Sequence, residues 1–295
     1  MGDKRVGIVL VNWNGWQDTV GCVESCAALE YAGYQILVVD NGSTDESVQE
    51  LRSRCPDVTL IEAGVDLGFA GGCNIGIQRA LDAGHEYVWV LNNDTTVDSH
   101  ALSALVEDLE THPEAAIAGS KVFYFDRPDI LSFAGGGLTR FSGRTYHRGD
   151  GERDGGKYDV AEETDFATGA SILVRSDAIR SVGLMDDRYF LYWEDVDWCE
   201  RFRLSGWTIR YAPQSVIWHK VGATTPDDRA WAQARYEGRN RVQFYRRVHP
   251  RRWPWIAAFA FGNAAYLLLR GRPKSARAMA SGVMDALAGR LGPIE

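Results

Sequence analysis

Three carboxylates fall within four positions in Glu194-Asp195-Val196-Asp197, directly after the aromatic-rich run Tyr189-Phe190-Leu191-Tyr192-Trp193. Acids that open a helix interact favourably with its N-terminal dipole, by ~0.3–1 kcal/mol each. That accounts for one acid but not for three set behind a cluster that keeps water from at least one of them. At about 100° per residue, Glu194 and Asp197 share a helix face while Asp195 projects away from it. One helix face can therefore cap and brace the helix while Asp195 faces a cleft. Asp94 ends a second motif, Asn92-Asn93-Asp94, just past a buried apolar run. A carboxylate there suits a hard divalent cation that keeps several waters and shares a diphosphate; the plainer alternative is an acid that caps its own turn. His219 closes the apolar stretch Val216-Ile217-Trp218. It reads either as a hydrogen-bonded packing residue or as a neutral imidazole completing a mixed oxygen and nitrogen site with Asp94.

The elements that must position these groups follow from hydrophobic spacing. Val6–Val11, Gln35–Val39, Val58–Ile61 and Tyr87–Leu91 read as short, fully buried strands. Helical spacing falls between and after them, at Gln17–Leu29, Asp45–Arg54, Gly71–Ala83 and Ser99–Thr111. This alternation predicts a mostly parallel α/β sheet with helices on both faces. Ligands in such sheets bind beyond the carboxyl ends of the strands. Those ends carry Asn12-Trp13-Asn14-Gly15, Asp40-Asn41-Gly42-Ser43-Thr44-Asp45, Asp66-Leu67-Gly68-Phe69-Ala70-Gly71-Gly72 and Asn92-Asn93-Asp94, all polar or glycine-rich. The glycine run lacks the dinucleotide spacing but offers backbone N–H groups to an anion. No Walker-type phosphate loop and no serine elbow occurs.

From Lys121 the rhythm changes. Lys121–Phe125, Ser171–Val174 and Trp207–Tyr211 read as strands, and Asp177–Val182 and Glu194–Leu204 as helices, the latter closed by Gly206. Ser142–Glu163, rich in glycine and both charges, reads as a long mobile loop, a candidate lid. After Val221 the text is helical and basic.

The 295 residues, 45% apolar and 24% charged, suit a soluble globular protein. The net charge of −8 hides a split: from Arg235 onward 12 Lys and Arg face 3 acids, a net of +9, leaving −17 for the rest. An acidic body argues against a broad nucleic-acid surface, whereas a basic tail suits an anionic one. Within that tail Trp253–Leu269 holds 17 residues without charge, at the low edge of the ~17–25 that span a bilayer. Flanking arginines and tryptophans favour an interfacial helix; a core helix or a homodimer contact is the alternative. The five cysteines lack zinc spacing and are expected as reduced structural thiols. With no signal-peptide pattern before Val6, the expected location is cytoplasmic, peripheral on the inner face of the cell membrane.

Taken in order, Val11-Asn12-Trp13-Asn14, Val38 to Asp45, Gly68 to Gly72, Asn92-Asn93-Asp94, Thr168-Gly169-Ala170, Glu194 to Asp197 and His219 resemble the family 2 inverting glycosyltransferases, rhamnosyltransferase-like and galactofuranosyltransferase-like members above all. The likeness runs from Val6 to Thr225. It implies a GT-A fold with a nucleotide-sugar-binding half at 1–120, an acceptor-binding and catalytic half at 121–225, and a basic helical region at 226–295. It further implies Mg²⁺ or Mn²⁺, a dTDP-, UDP- or GDP-linked sugar donor with dTDP-rhamnose first, and a glycan or lipid-linked acceptor. Carried over by position, Asp40 contacts the base, Asn12 and Asn74 lie near the nucleoside, Asp94 takes the metal with His219, and Asp195 is the general base. Asn14, Gly42, Gly68, Phe69, Asn92, Asn93, Gly169, Trp193 and Glu194 join the candidate substrate contacts. Two positions depart from the family: the DXD place retains only its last carboxylate, and Cys73 replaces a residue that is often polar. A non-catalytic nucleotide-sugar-binding module is the alternative. A nucleotidyltransferase is a weaker one, because no basic glycine-rich loop follows the first strand.

Overall fold

The computed structural model describes residues 4–220 and 230–294. The start of the expected basic helical region after Val221, the end of the family likeness at Thr225 and the boundary at 225 and 226 lie outside the described residues.

The first half runs β1 (Val6–Asn12), α1 (Trp16–Cys26), β2 (Tyr34–Asp40), α2 (Ser47–Arg54), β3 (Thr59–Glu62), α3 (Gly68–Asp82), β4 (Tyr87–Leu91), β5 (Thr95–Val97) and α4 (Ala101–Thr111). Next come β6 (Ala115–Tyr124), β7 (Arg127–Phe133), β8 (Gly136–Leu138), β9 (Thr145–His147), β10 (Glu162–Glu163), β11 (Ser171–Arg175) and α5 (Ser176–Val182). A 3₁₀ turn at Asp187–Tyr189 leads to α6 (Glu194–Leu204), β12 (Thr208–His219), α7 (Ala230–Val248), α8 (Trp253–Leu269) and α9 (Pro273–Leu287).

The spine of the sheet has the order β10-β12-β6-β11-β4-β1-β2-β3. The first four strands pair in parallel, as their spacing predicts, but β11 enters antiparallel between β4 and β6, so the whole sheet is mixed. The register decides where the chemistry collects. Asn12 lies opposite Asp40, and Asp40 opposite Glu62, so the parallel ends are level. Antiparallel pairing sets Ser171 opposite Leu91, which brings the turn before β11 to the same edge. Strand β12 ends there too, with His219 opposite Thr95 on β5.

Several boundaries differ from the sequence reading. Strand β6 starts at Ala115, earlier than Lys121, because β12 pairs with it from Ala115 to Tyr124 while β11 covers Ile117–Gly119 on its other side. Strand β12 is one 12-residue strand with an irregularity between Ala212 and Val216, where two separate pieces were expected. Helix α3 takes the glycine run into its first turns, because Asp66 Oδ1 accepts the Gly68 N–H at 2.9 Å. Helix and sheet then approach closely: a Cβ at Gly76 would come within 2.3 Å of Val9 Cγ1. The stretch expected as a free lid is tied down. Tyr158 is buried, Lys121 Nζ bonds Asp154 at 3.0 Å, and β9 pairs with β8. All five cysteines are buried and free, as expected.

Candidate active site

A chain of side-chain hydrogen bonds joins three strand ends. Asn93 Nδ2 donates to Thr19 Oγ1 at 2.8 Å, which donates to Asn12 Oδ1 at 2.8 Å; Asn12 Nδ2 donates to Asp40 Oδ1 at 2.9 Å. Asp40 Oδ2 accepts the Ser43 N–H at 3.1 Å. Asn14, at φ +50°, accepts the Thr44 N–H at 2.8 Å and thereby folds the first strand end over the second. The turn after Asp40 rises into αL at Gly42, where any Cβ would strike the Val65 backbone at 2.4 Å. Asp40, Asn12 and Asn93 thus form one rigid polar floor, because each buried group has found a partner.

At the far end of this floor stands Asp94. Its Oδ1 lies 3.0 Å from His219 Nε2, and Asn92 Nδ2 lies 3.1 Å from the same nitrogen. His219 Nε2 can accept from Asn92 or donate to Asp94 but not both, and a metal cation beside them would be met by the lone pairs of the imidazole and the carboxylate together. Asn92 Oδ1 is buried without a hydrogen-bond donor, although buried oxygens normally have one, and Asp94 Oδ1 has only the His219 imidazole beside it. Two oxygens and an imidazole nitrogen in want of a cation fit Mg²⁺ or Mn²⁺, which take one or two protein carboxylates and fill the rest with phosphate and water. Among the described residues no group of three or more His, Cys, Asp and Glu could hold a metal by itself.

Asp195 stands on the first turn of α6. Its Oδ2 accepts the Gly169 N–H at 2.9 Å and its Oδ1 accepts the Val196 N–H at 2.8 Å. Burial pushes its carboxyl above the usual aspartate range, while those two N–H groups and the His147 imidazole pull the other way. Glu194, buried beside it with Oε2 unpartnered, is pushed well above its usual range by burial and by the Asp195 charge. Asp197 braces the helix as expected, accepting from Tyr189 Oη at 3.0 Å and Arg201 Nε at 2.8 Å. The turn Thr168-Gly169-Ala170 connects the two centres. Gly169 N–H binds Asp195, and Ala170 C=O accepts the Asn92 N–H at 3.1 Å. A Cβ at Gly169 would sit 3.4 Å from the Phe69 ring and 3.6 Å from Asp195 Oδ2, so Phe69 walls the same corner.

The approach to Asp195 is conformationally unusual. Phe190, Tyr192 and Trp193 hold φ of +65°, +67° and +78°, a region disfavoured for residues with a Cβ. Gly68, at φ +70°, lies under this segment, and Phe69 N–H donates to Phe190 C=O at 2.7 Å. From the other side Asn240 and Arg239 of α7 bond the Tyr189 carbonyl at 3.1 and 2.9 Å. The Trp193 indole N–H donates to Glu237 at 3.0 Å.

Two expected substrate contacts are engaged elsewhere. Asn74 exchanges two hydrogen bonds with the Met185 backbone, at 2.9 and 3.0 Å, beside a cavity of about 890 Å³ that includes neither Asp94 nor Asp195 in its lining. Trp193 is buried with its single N–H taken by Glu237. Conversely, the sequence reading did not single out Glu237, Arg239 and Asn240, or His147 beside Asp195; no spacing signal ties them to the acids.

The sequence matches the Glycosyl transferase family 2 domain over residues 7–182. The chain belongs to glycosyltransferase family 2. It is 30% identical over 210 residues to N-acetylglucosaminyl-diphospho-decaprenol L-rhamnosyltransferase of Mycobacterium tuberculosis, covering 65% of this chain and 68% of that protein. It is also 30% identical over 174 residues to galactofuranosyltransferase GlfT1 of Mycolicibacterium smegmatis, over 58% and 56% of the two chains. Among solved structures it resembles the mannosyltransferase PcManGT of Pyrobaculum calidifontis, in complex with GDP-Man and Mn²⁺. There the TM-score is 0.63 at 15% identity, covering 98% of this chain and 88% of that one. This family 2 enzyme has the GT-A fold and is a hexosyltransferase.

Proposed function

We propose that this glycosyltransferase moves a sugar, rhamnose first among the candidates, from a dTDP-linked donor to a hydroxyl of a lipid-linked glycan with inversion. The observation that carries the reading is the Thr168–Ala170 turn, hydrogen-bonded to Asp195 on one side and to the Asn92–Asp94 strand end on the other. A base and a diphosphate-binding end on one turn are what in-line displacement needs. Asp195 keeps lone pairs beyond its two N–H bonds, and burial raises its proton affinity, so it can take the acceptor hydroxyl proton as that oxygen attacks the anomeric carbon. The bond from that carbon to the diphosphate oxygen breaks, and the electron pair leaves with the nucleoside diphosphate. Bound by Asp94 and His219, a divalent cation would offset the charge growing on the leaving group. The Asn12–Asp40 floor and Asn14 would hold the nucleoside, and the N-terminal turn of α3 would face its phosphates. The sugar and the acceptor follow the Mycobacterium relative, whose name pairs L-rhamnosyl transfer with an N-acetylglucosaminyl-diphospho-decaprenol; the dTDP carrier follows the family resemblance.

The C-terminal region supports delivery to such an acceptor. Helix α8 buries Ile256, Ala257, Ala260 and Ala264, and leaves Trp255, Phe261, Tyr266, Leu268 and Leu269 exposed on an uncharged face. Arg251, Arg270, Arg272 and Lys274 lie exposed at its ends. Among the described residues no helix is long and apolar enough to cross a membrane. An apolar face with cations at both ends suits the inner surface of an anionic membrane.

The test of the base is Asp195→Asn. Transfer falls by about 10²–10⁴ while nucleotide-sugar binding persists; full transfer by the variant removes Asp195 from the mechanism. Anomeric assignment of the product by NMR checks inversion independently.

A further inference from the structure

We infer that Asn240, on the helix α7 and remote in sequence from every motif above, is the positioning residue for the catalytic carboxylate. Its side chain is completely buried. Its single amide group, Nδ2, serves three main-chain carbonyls, those of Tyr189 at 3.1 Å, Leu191 at 2.8 Å and Tyr192 at 2.8 Å. With two hydrogens for three acceptors, one hydrogen is shared, and the amide lies at the centre of a tight carbonyl arc. That arc belongs to the segment whose Phe190, Tyr192 and Trp193 adopt left-handed backbone. Such conformations persist only where surrounding structure over-determines them. Oδ1 of Asn240 is held in turn by Arg239 Nε at 2.9 Å, which fixes the direction in which the amide donates. Because Trp193 is the cap residue of α6, the path of this arc sets where the helix begins. It therefore sets where Asp195, one residue into the helix, points. Asn240 touches neither donor nor acceptor and acts only through this geometry.

This inference rests on the assignment of Asp195 as base, and the experiment separates the two. In Asn240→Asp the size and the Oδ1 acceptor for Arg239 are kept, but both N–H donors are lost. With the nucleotide sugar that the wild type turns over, kcat falls on the order of 100-fold while the donor KM and the affinity for the nucleoside diphosphate stay within about twofold. Hydrogen exchange quickens at the amides of residues 189–197 and is unchanged in β1 to β4. Asn240→Ala, which introduces no buried charge, behaves likewise. Tyr192→Gly, placed in the Asn240→Asp background, recovers part of kcat because glycine adopts positive φ freely. Asn240→Asp added to Asp195→Asn gives no further loss, since the group being positioned is already gone. A kcat within about twofold of wild type, or a loss that falls equally on kcat and donor affinity, overturns the positioning role. Full activity of Asp195→Asn by itself overturns the base assignment instead.

Discussion

Replacing Gly68 by alanine tests the joint between the donor-binding half and the segment carrying the base. Gly68 sits at φ +70°, and an added Cβ would lie 2.3 Å from the Phe190 carbonyl oxygen and 2.7 Å from its ring. A residue with a Cβ loses ~1–2 kcal/mol in this region before any contact is considered. The contact cannot be relieved by a rotamer, because the atom met is backbone. Phe190 must withdraw, and the 2.7 Å bond from Phe69 N–H to its carbonyl goes with it, a further loss of about 1 kcal/mol. Together that is about 2–3 kcal/mol, or a fall of roughly 4–6 °C in melting temperature at ~2 °C per kcal/mol for a chain of this size. Gly169→Ala is the internal control, since its Cβ would meet only Phe69 at 3.4 Å and Asp195 at 3.6 Å. It should melt within about 1 °C of wild type, as changes free of strain stay near ±0.5 kcal/mol, yet lose transfer because the methyl stands beside the base. Differential scanning fluorimetry and a transfer assay read both variants. Equal melting temperatures for the two would refute the reasoning.

Further outcomes follow from the same geometry. Asp94→Asn and His219→Ala each abolish the part of the nucleotide-sugar melting shift that depends on Mn²⁺, out of the about 2.7 kcal/mol that saturating ligand at 100 times Kd adds; an intact Mn²⁺-dependent shift in both would rule out that cation site. Burial raises the Asp195 carboxyl, and the base must be ionised, so kcat/KM falls with acid through a pKa above the usual aspartate range; an acid limb at or below that range counts against it. The same shift has a stability sign. The folded protein disfavours ionised Asp195, so Asp195→Asn melts higher than wild type at neutral pH, and the gap narrows as acid protonates the wild-type group. In the full chain, Trp255→Ser together with Leu269→Ser weakens sedimentation with anionic liposomes, each burying an apolar side chain otherwise worth ~1.5–3 kcal/mol. Unchanged sedimentation, or its replacement by a concentration-dependent dimer, removes the membrane role.

Much of the donor-side fold was legible because it rests on short-range patterning. Fully apolar runs such as Val6–Val11 and Tyr87–Leu91 must be buried on both faces, and the polar residues following them mark strand ends. The separate direction of Asp195 was also legible, since helical angles alone part it from Glu194 and Asp197, and Asp195 and Asp197 do bond different partners, Gly169 and Tyr189. The antiparallel entry of β11 was not, because an apolar pentamer carries no record of its direction. Nor were the other commitments of Asn74 and Trp193. A side chain's partner 111 residues away, as Met185 is for Asn74, leaves no trace in spacing.

The basic tail shows the limit most clearly, because net charge cannot distinguish cations that face solvent from cations that build the interior. Arg239 is 2% exposed and Arg241 3% exposed. Asp285 takes both Arg235 and Arg290, and Arg247 reaches Asp186. Arg235 and Arg290 tie α7 and the C-terminal turn to α9, and Arg239 and Arg247 tie α7 to the catalytic half at Tyr189 and Asp186. The cations left for a membrane are those at the ends of α8, next to Trp255, 53% exposed, and Leu269, 86% exposed. The two uses are physically joined. Trp255 donates its indole N–H to the Phe141 carbonyl at 3.0 Å, and Arg252 bonds the Arg140 carbonyl. The chain from Arg140 and Phe141 runs on to β9, where His147 lowers the proton affinity of Asp195. Helix α7, which packs against α8, holds the strained segment through Asn240. Deleting everything from Trp253 onward would remove the membrane face, but it would also strip α7 of its packing partners. Such a truncation would lose transfer even with a soluble acceptor, whereas Trp255→Ser with Leu269→Ser would retain it.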